Sequence, residues 1–277
     1  MDVTFPDATT VPALGIGTYR MGESTRTRER EIASLQSALD AGIRVIDTAE
    51  MYADGGAESV VGAALRGNRR DGAFVVTKVL PSNASHSGVI CACERSLKRL
   101  QIDRIDLYLL HWRGATPLAE TVDAFEHLVV RGRIARWGVS NFDVSDMQEV
   151  QALAAGKRCS ANQVYFSVSR RGVEFDLLPW SSSRGMPLMA YSPFDEGRLL
   201  GDRTLASIGR KHGVGAAQVA LAWLLAKPGV IAIPKAGRSE HVQENAVAAN
   251  LALDADDIAQ IDRRWPPPSK KQALAIV

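Results

Sequence analysis

Eight short apolar runs, separated by longer stretches with helical spacing, set the architecture of this chain. The runs cover residues 14–17, 45–47, 74–78, 107–111, 136–140, 161–164, 188–191 and 230–233. They are rich in Val, Ile and Leu and lack polar alternation, the pattern of parallel strands buried on both faces. In the first gap Ile32, Leu35, Leu39 and Ile43 fall three and four residues apart. Residues 89–100 repeat the pattern, with Leu97 and Leu100 on one stripe. Val122, Phe125, Leu128 and Val129 form the apolar face of another helix, with Thr116 as its expected N-cap, Pro117 its first residue and Gly132 its close. Residues 143–155, 215–226 and 240–249 read the same way. Eight strand–helix modules in 277 residues match a closed (β/α)8 TIM barrel, which takes about 250. An open doubly wound sheet is the alternative. No linker-like stretch divides the chain, so residues 1–277 are expected to form a single domain. Residues 3–12 read as an extra N-terminal β-hairpin and 195–201 as a mobile flap. Pro266, Pro267 and Pro268 end the last helix.

Composition narrows the function classes. A hydrophobic fraction of 46% with 23% charged residues is enough to bury a core and excludes disorder as the main state. Lys plus Arg is 33 against 31 acids, a net charge of +2, which leaves no electrostatic footprint for nucleic acid or an anionic membrane. The longest apolar run, 219–226, stops at Lys227-Pro228, far short of the roughly 20 residues of a membrane helix. Asp2 stands where a signal peptide carries basic residues. Three cysteines are too few for a disulfide framework. The expectation is a cytoplasmic monomer without nucleic-acid or membrane partners. Cys91 and Cys93 read as buried structural thiols. Histidines 86, 111, 127, 212 and 241 show no metal spacing, so no metal is expected. Gly15-Ile16-Gly17 starts a dinucleotide fingerprint but fails at Arg20. Residues 138–142 start a nucleophile elbow but end in Phe142.

In such a barrel chemistry gathers at the C-terminal ends of the strands. Those ends carry Asp47 with Tyr52 just after it, Lys78, His111, Ser140-Asn141, Asn162-Gln163, Tyr191-Ser192 and Lys235. Each has a bland reading alone: a helix-capping Asp, a Lys reaching for solvent, a core His, a packing Tyr. An acid, a phenol, a lysine and an imidazole on adjacent strands of one rim point together to catalysis.

Over essentially its whole length the sequence resembles the aldo-keto reductases. Asp47-Thr48-Ala49 with Tyr52, Lys78 after Val75-Val76-Thr77, and His111 in Leu109-Leu110-His111-Trp112 match the family's catalytic tetrad. Residues 138–141, 162–163, 191–193 and 233–235 match its cofactor contacts. The stretch 48–58 is similar to bacterial methylglyoxal-reductase-like members.

The resemblance implies reduction of aldehydes and ketones with NADPH, with NADH as a second donor. Ser140, Asn141 and Gln163 would hold the nicotinamide carboxamide, Tyr191 would stack on its ring, and Gly17 and Thr18 would lie alongside. Ser192 would meet the pyrophosphate, Lys235 and Arg238 the 2′-phosphate, and Glu244 and Asn245 the adenine. Ala236 and His241 depart from the family pattern, where a hydroxyl residue and an arginine are common, so a weaker preference for NADPH is expected. Tyr19, Leu80 and Trp112 would line the substrate pocket. The short stretch after Trp265 implies an open pocket for small aldehydes, dicarbonyls such as methylglyoxal, and aromatic aldehydes.

The chemistry agrees with these roles. Reduction puts a hydride on carbon and a proton on oxygen. Tyr52 is the expected proton donor, with Lys78 lowering its pKa from about 10. Asp47 would keep Lys78 charged, and His111 would orient the substrate oxygen. Two other readings stand beside this one. A barrel lysine can form an aldolase Schiff base, but it must first lose its proton, and Asp47 opposes that. A slow nicotinamide-binding sensor or scaffold would retain the whole site.

Overall fold

The computed structural model describes residues 1–276. Eight parallel strands form one sheet: β3 (Gly15–Gly17), β4 (Val45–Asp47), β5 (Phe74–Val79), β6 (Leu107–Leu110), β7 (Trp137–Ser140), β8 (Asn162–Tyr165), β9 (Leu188–Tyr191) and β10 (Val230–Ala232). Each pairs with its neighbour in sequence, so the order around the sheet is the order along the chain. The barrel closes where Leu14 bridges Ala232 and Gly17 bridges Lys235, with Gly17 N–H donating to the Pro234 carbonyl at 2.9 Å. The barrel is the expected fold, and the alternative of an open sheet is excluded. Close approach selects glycine at one wall position: a Cβ on Gly138 in β7 would lie 2.4 Å from the Ala161 carbonyl oxygen.

Two further strands precede the barrel. β1 (Asp2–Thr4) and β2 (Thr10–Pro12) pair antiparallel as the expected hairpin. Its buried Phe5 stacks on Phe74, at the start of β5, with centroids 5.3 Å apart. The Arg136 guanidinium lies over both rings and binds Asp7 at 2.9 Å. The hairpin therefore covers the end where strands begin, leaving the opposite rim for chemistry.

The helices are α1 (Arg28–Asp40), α2 (Gly56–Ala64), α3 (His86–Leu100), α4 (Leu118–Val130), α5 (Val144–Ala152), α6 (Leu177–Ser182), α7 (Arg203–His212), α8 (Ala216–Leu225), α9 (Ser239–Ala248) and α10 (Ala255–Arg264). The 219–226 run lies mostly in α8, which is buried at every position but Ala217. Among the described residues no helix is long and apolar enough to cross a membrane.

Two local expectations need correction. α4 begins at Leu118; Pro117 is its N-cap, with extended ψ of 130°, and Thr116 does not cap it. Cys93 is buried but Cys91 is exposed, because residues two apart on α3 point to different faces. Residues 195–201 form a kinked 3-10 turn tied to the barrel through buried Asp195. Asp195 accepts hydrogen bonds from the Tyr165 hydroxyl, from Ser169 at 3.0 Å, and from Arg170 and Arg198 at 3.2 Å each.

Candidate active site

Lys78, in β5, is fully buried yet carries three polar contacts. Its Nζ donates to Asp47 Oδ2 at 2.8 Å, to the Thr48 carbonyl at 2.8 Å and to the Tyr52 hydroxyl at 3.4 Å. An ammonium has three donors, and all three are used. Burial pulls the Lys78 pKa down, but Asp47 and Tyr52 together more than offset this and hold it above the ordinary lysine value. Lys78 is therefore a fixed cation at working pH.

Tyr52 follows β4 through a strained turn. Ala53 and Asp54 both have φ of 50°, and Gly55 has φ of 84°. Left-handed backbone at a non-glycine residue costs on the order of 1–2 kcal/mol, so packing holds this turn against local preference. The phenol's pKa corrects the sequence expectation. Burial raises it above the ordinary tyrosine value, and Lys78 opposes this without cancelling it.

His111, directly after β6, is 8% exposed. Burial, with help from the Lys78 charge, pushes its pKa down to about 3. The imidazole is thus neutral across the physiological range. Its buried Nδ1 has no hydrogen-bonding partner among the described residues.

Aromatic rings extend this group outward. Tyr19 meets Tyr52 edge-on at 5.3 Å, Tyr52 meets His111 edge-on at 5.9 Å, and His111 lies 4.9 Å from Trp112. Tyr19 and Trp112 are half and about one-third exposed, at 50% and 37%, so they present apolar ring surface at the mouth. Leu80 is half-buried at the exit of β5.

A second arc starts from the other oxygen of Asp47. Gln163 Nε2 donates to Asp47 Oδ1 at 2.7 Å, and Ser140 Oγ donates to the Gln163 carbonyl at 2.9 Å. Asn141 Nδ2 donates to the His111 carbonyl at 3.1 Å, and its Oδ1 accepts from the Tyr191 hydroxyl at 2.8 Å. The half-buried Tyr191 ring stacks on Tyr165 at 5.3 Å. Thr18 Oγ1 donates to the Asp47 carbonyl at 3.0 Å. Asn162 instead turns to the Phe142 carbonyl at 2.8 Å and anchors the loop after β7.

Beyond these lie the predicted phosphate residues. The barrel seam sets Lys235 beside Gly17. Lys235 and Arg238 are exposed, and Arg238 Nη2 lies 2.7 Å from His241 Nε2. On α9 Glu244 is exposed and Asn245 buried. Ser192 sits just past β9 in a left-handed conformation, φ 49°. Amides and a hydroxyl around a flat ring, with cations farther out, suit a carboxamide-bearing ring on a phosphate-bearing tail.

Sequence reasoning missed a brace behind Lys78. Fully buried Glu58 accepts from Thr77 Oγ1 at 2.6 Å and from Arg99 Nε at 2.6 Å. Its only sequence signal is an acid inside an otherwise apolar helix α2.

The model of the aldo/keto reductase family matches residues 13–265. The chain belongs to the aldo/keto reductase family. This aldo-keto reductase is 47% identical to methylglyoxal reductase YeaE of Escherichia coli, over 99% of this chain and 98% of that protein. It is 34% identical to glyoxal reductase of Bacillus subtilis, over 91% and 88% of the two chains. Its backbone matches an aldo-keto reductase from Klebsiella pneumoniae solved in complex with NADPH. The TM-score is 0.97 and the identity 48%, covering 100% of this chain and 99% of that one.

Proposed function

We propose that this aldo-keto reductase reduces aldehydes and ketones to alcohols with NADPH, with Tyr52 as proton donor. The observation that carries the proposal is the buried line Asp47–Lys78–Tyr52, which joins the amide arc through Gln163 at the second oxygen of Asp47. Ser140, Asn141 and Gln163 would hold the carboxamide and Tyr191 would face the ring. When bound, the reduced nicotinamide supplies the hydride. Tyr52 donates its proton to the developing alkoxide. A phenol whose pKa lies above the ordinary value is protonated at neutral pH, the form a donor needs, and an alkoxide is a far stronger base than a phenolate. Lys78 stabilises the phenolate left behind, as a preorganised charge in a dry site. Neutral His111 donates a hydrogen bond to the carbonyl oxygen and fixes its direction.

Small aldehydes, dicarbonyls such as methylglyoxal, and aromatic aldehydes fit the aromatic mouth of Tyr19 and Trp112 with Leu80 beside it. The names of the two bacterial relatives support the dicarbonyls. In this proposal the enzyme acts as a cytoplasmic monomer of one domain.

An aldehyde panel with NADPH and with NADH, followed at the reduced-nicotinamide absorbance, tests the activity. Measurable turnover is expected. Nicotinamide binding without turnover would favour the sensor reading, and borohydride trapping of substrate on Lys78 would favour the aldolase.

Two predictions follow from individual residues. With His111 neutral above about pH 3, kcat/KM for reduction should be flat from pH 5 to 8. An inflection near 6.5 that vanishes in His111→Phe would show a titrating imidazole instead. Lys235→Ala should raise KM for NADPH roughly tenfold, the scale of one lost charge-assisted contact at an exposed site, and leave NADH nearly untouched. Equal losses with both cofactors would remove Lys235 from discrimination.

A further inference from the structure

Between Asp47 and Tyr52 stands a buried carboxylate with no part in the proton relay. Glu50 is 8% exposed. Its Oε1 accepts from the Leu80 backbone N–H at 2.8 Å and from Asn83 Nδ2 at 2.9 Å. Its Oε2 lies 3.5 Å from Arg95 Nη2, on α3. Its own backbone N–H donates to the Lys78 carbonyl at 3.3 Å. One residue thus grips β5 two positions apart, on either side of Val79. Glu50 lies two residues before Tyr52, and Leu80 two residues after Lys78.

The geometry points to Glu50 as a positioning residue. It fixes the strained Tyr52 turn against the exit of β5, setting the Tyr52–Lys78 separation and the place of the Leu80 wall together. The left-handed turn after Tyr52 runs against local backbone preference, so tertiary contacts must hold it. The helical and strand spacing of the chain contributes nothing at residues 48–51, which lie between β4 and the turn. Main-chain bonds from Thr48 to the Val76 carbonyl at 2.8 Å and from Tyr52 to the Ala49 carbonyl at 3.1 Å hold the segment from within, and the carboxylate adds a restraint from the side, through a main-chain donor that has no sheet partner and a side-chain amide three residues on. Displacement of a reacting group by about 1 Å can cost a hundredfold in rate. Loss of the brace should therefore appear in kcat and in substrate selectivity, with cofactor affinity unchanged. This inference rests on the proposed role of Tyr52 as proton donor.

Glu50→Ala, Glu50→Gln and Tyr52→Phe should be compared in the full-length enzyme. The readouts are kcat and KM for methylglyoxal and an aromatic aldehyde, Kd for NADPH by fluorescence, and thermal melting. In Glu50→Ala, kcat should fall 10- to 100-fold, and the aromatic-to-methylglyoxal ratio of kcat/KM should change at least threefold as Leu80 shifts. NADPH Kd should stay within twofold. Glu50→Gln keeps the Oε1 acceptor and should recover most of the rate and the wild-type ratio. Wild-type turnover in Glu50→Ala would overturn the inference, as would equal damage in Ala and Gln, or a loss of NADPH binding in step with kcat. If Glu50→Ala does not fold, Glu50→Asp retracts the oxygens by one methylene; it should show the ratio change with NADPH Kd intact, and an unchanged ratio would overturn the inference. An active Tyr52→Phe enzyme would refute the proton-donor role itself, separately from any Glu50 result.

Discussion

Tyr52→Phe is expected to lower kcat for carbonyl reduction roughly 10²- to 10⁴-fold, the range of a single general acid, and to leave NADPH affinity nearly unchanged. The substitution removes one oxygen and keeps the ring. The edge-on contacts of the ring with Tyr19 and His111 survive, so the pocket wall stays in place. Lys78 loses one of three acceptors and keeps Asp47 and the Thr48 carbonyl, so the cation stays fixed. What disappears is the proton. Steady-state turnover with a fluorescence titration of NADPH decides the matter, and near-wild-type kcat would remove Tyr52 from the reaction.

Lys78→Met should be as damaging to turnover, for a different reason. The phenol remains, but the charge that stabilises its conjugate base is gone, and burial and the Asp47 charge then both act to raise its pKa. The change also leaves the Asp47 carboxylate buried without its cation. Breaking a buried pair from one side costs about 3–5 kcal/mol, so a clear drop in Tm should accompany the loss of rate. The lysine's pKa is raised in the folded chain. Its stabilisation is therefore fully present below the unfolded lysine value, about 10.4, and is lost only as pH climbs through the folded value. The Tm difference between wild type and variant should accordingly be constant across neutral pH. A variant with normal activity and an unshifted pH profile would reduce Lys78 to a structural role.

The barrel was legible because its strands are unbroken aliphatic runs. Only burial on both faces explains Val75-Val76 or Leu109-Leu110 without polar alternation, and each lies in a buried strand. The helices were less legible. α2 contains Gly56 and Gly62, poor helix formers, yet a Cβ on Gly62 would lie 2.6 Å from the Arg99 and Leu100 carbonyl oxygens. Close packing on α3, invisible in local sequence, selects that glycine. α7 and α10 bury few residues each, Leu205, Ile208 and Gly209 in one and Asp257 and Ile261 in the other.

Within the candidate site, the residue types and order at the rim were readable, and their electrostatics were not. The direction of the Tyr52 shift depends on burial outweighing Lys78, a comparison of two large opposing effects that spacing does not encode. Nor does spacing show that Glu50 reaches Leu80 and Asn83, because those contacts join residues 30 and 33 positions apart.

The divided carboxylate of Asp47 has a consequence for how such an enzyme can change. One oxygen serves the proton donor's cation and the other serves Gln163 in the amide arc. A substitution that retunes either arc pulls on the shared atom group and disturbs the other, so variation at the chemical end is penalised twice. Lys235, at the barrel seam, and Arg238, three residues on, are exposed and lie outside that linkage. In the proposed roles, a change of dinucleotide preference at Lys235 or Arg238 would leave the Asp47 linkage untouched.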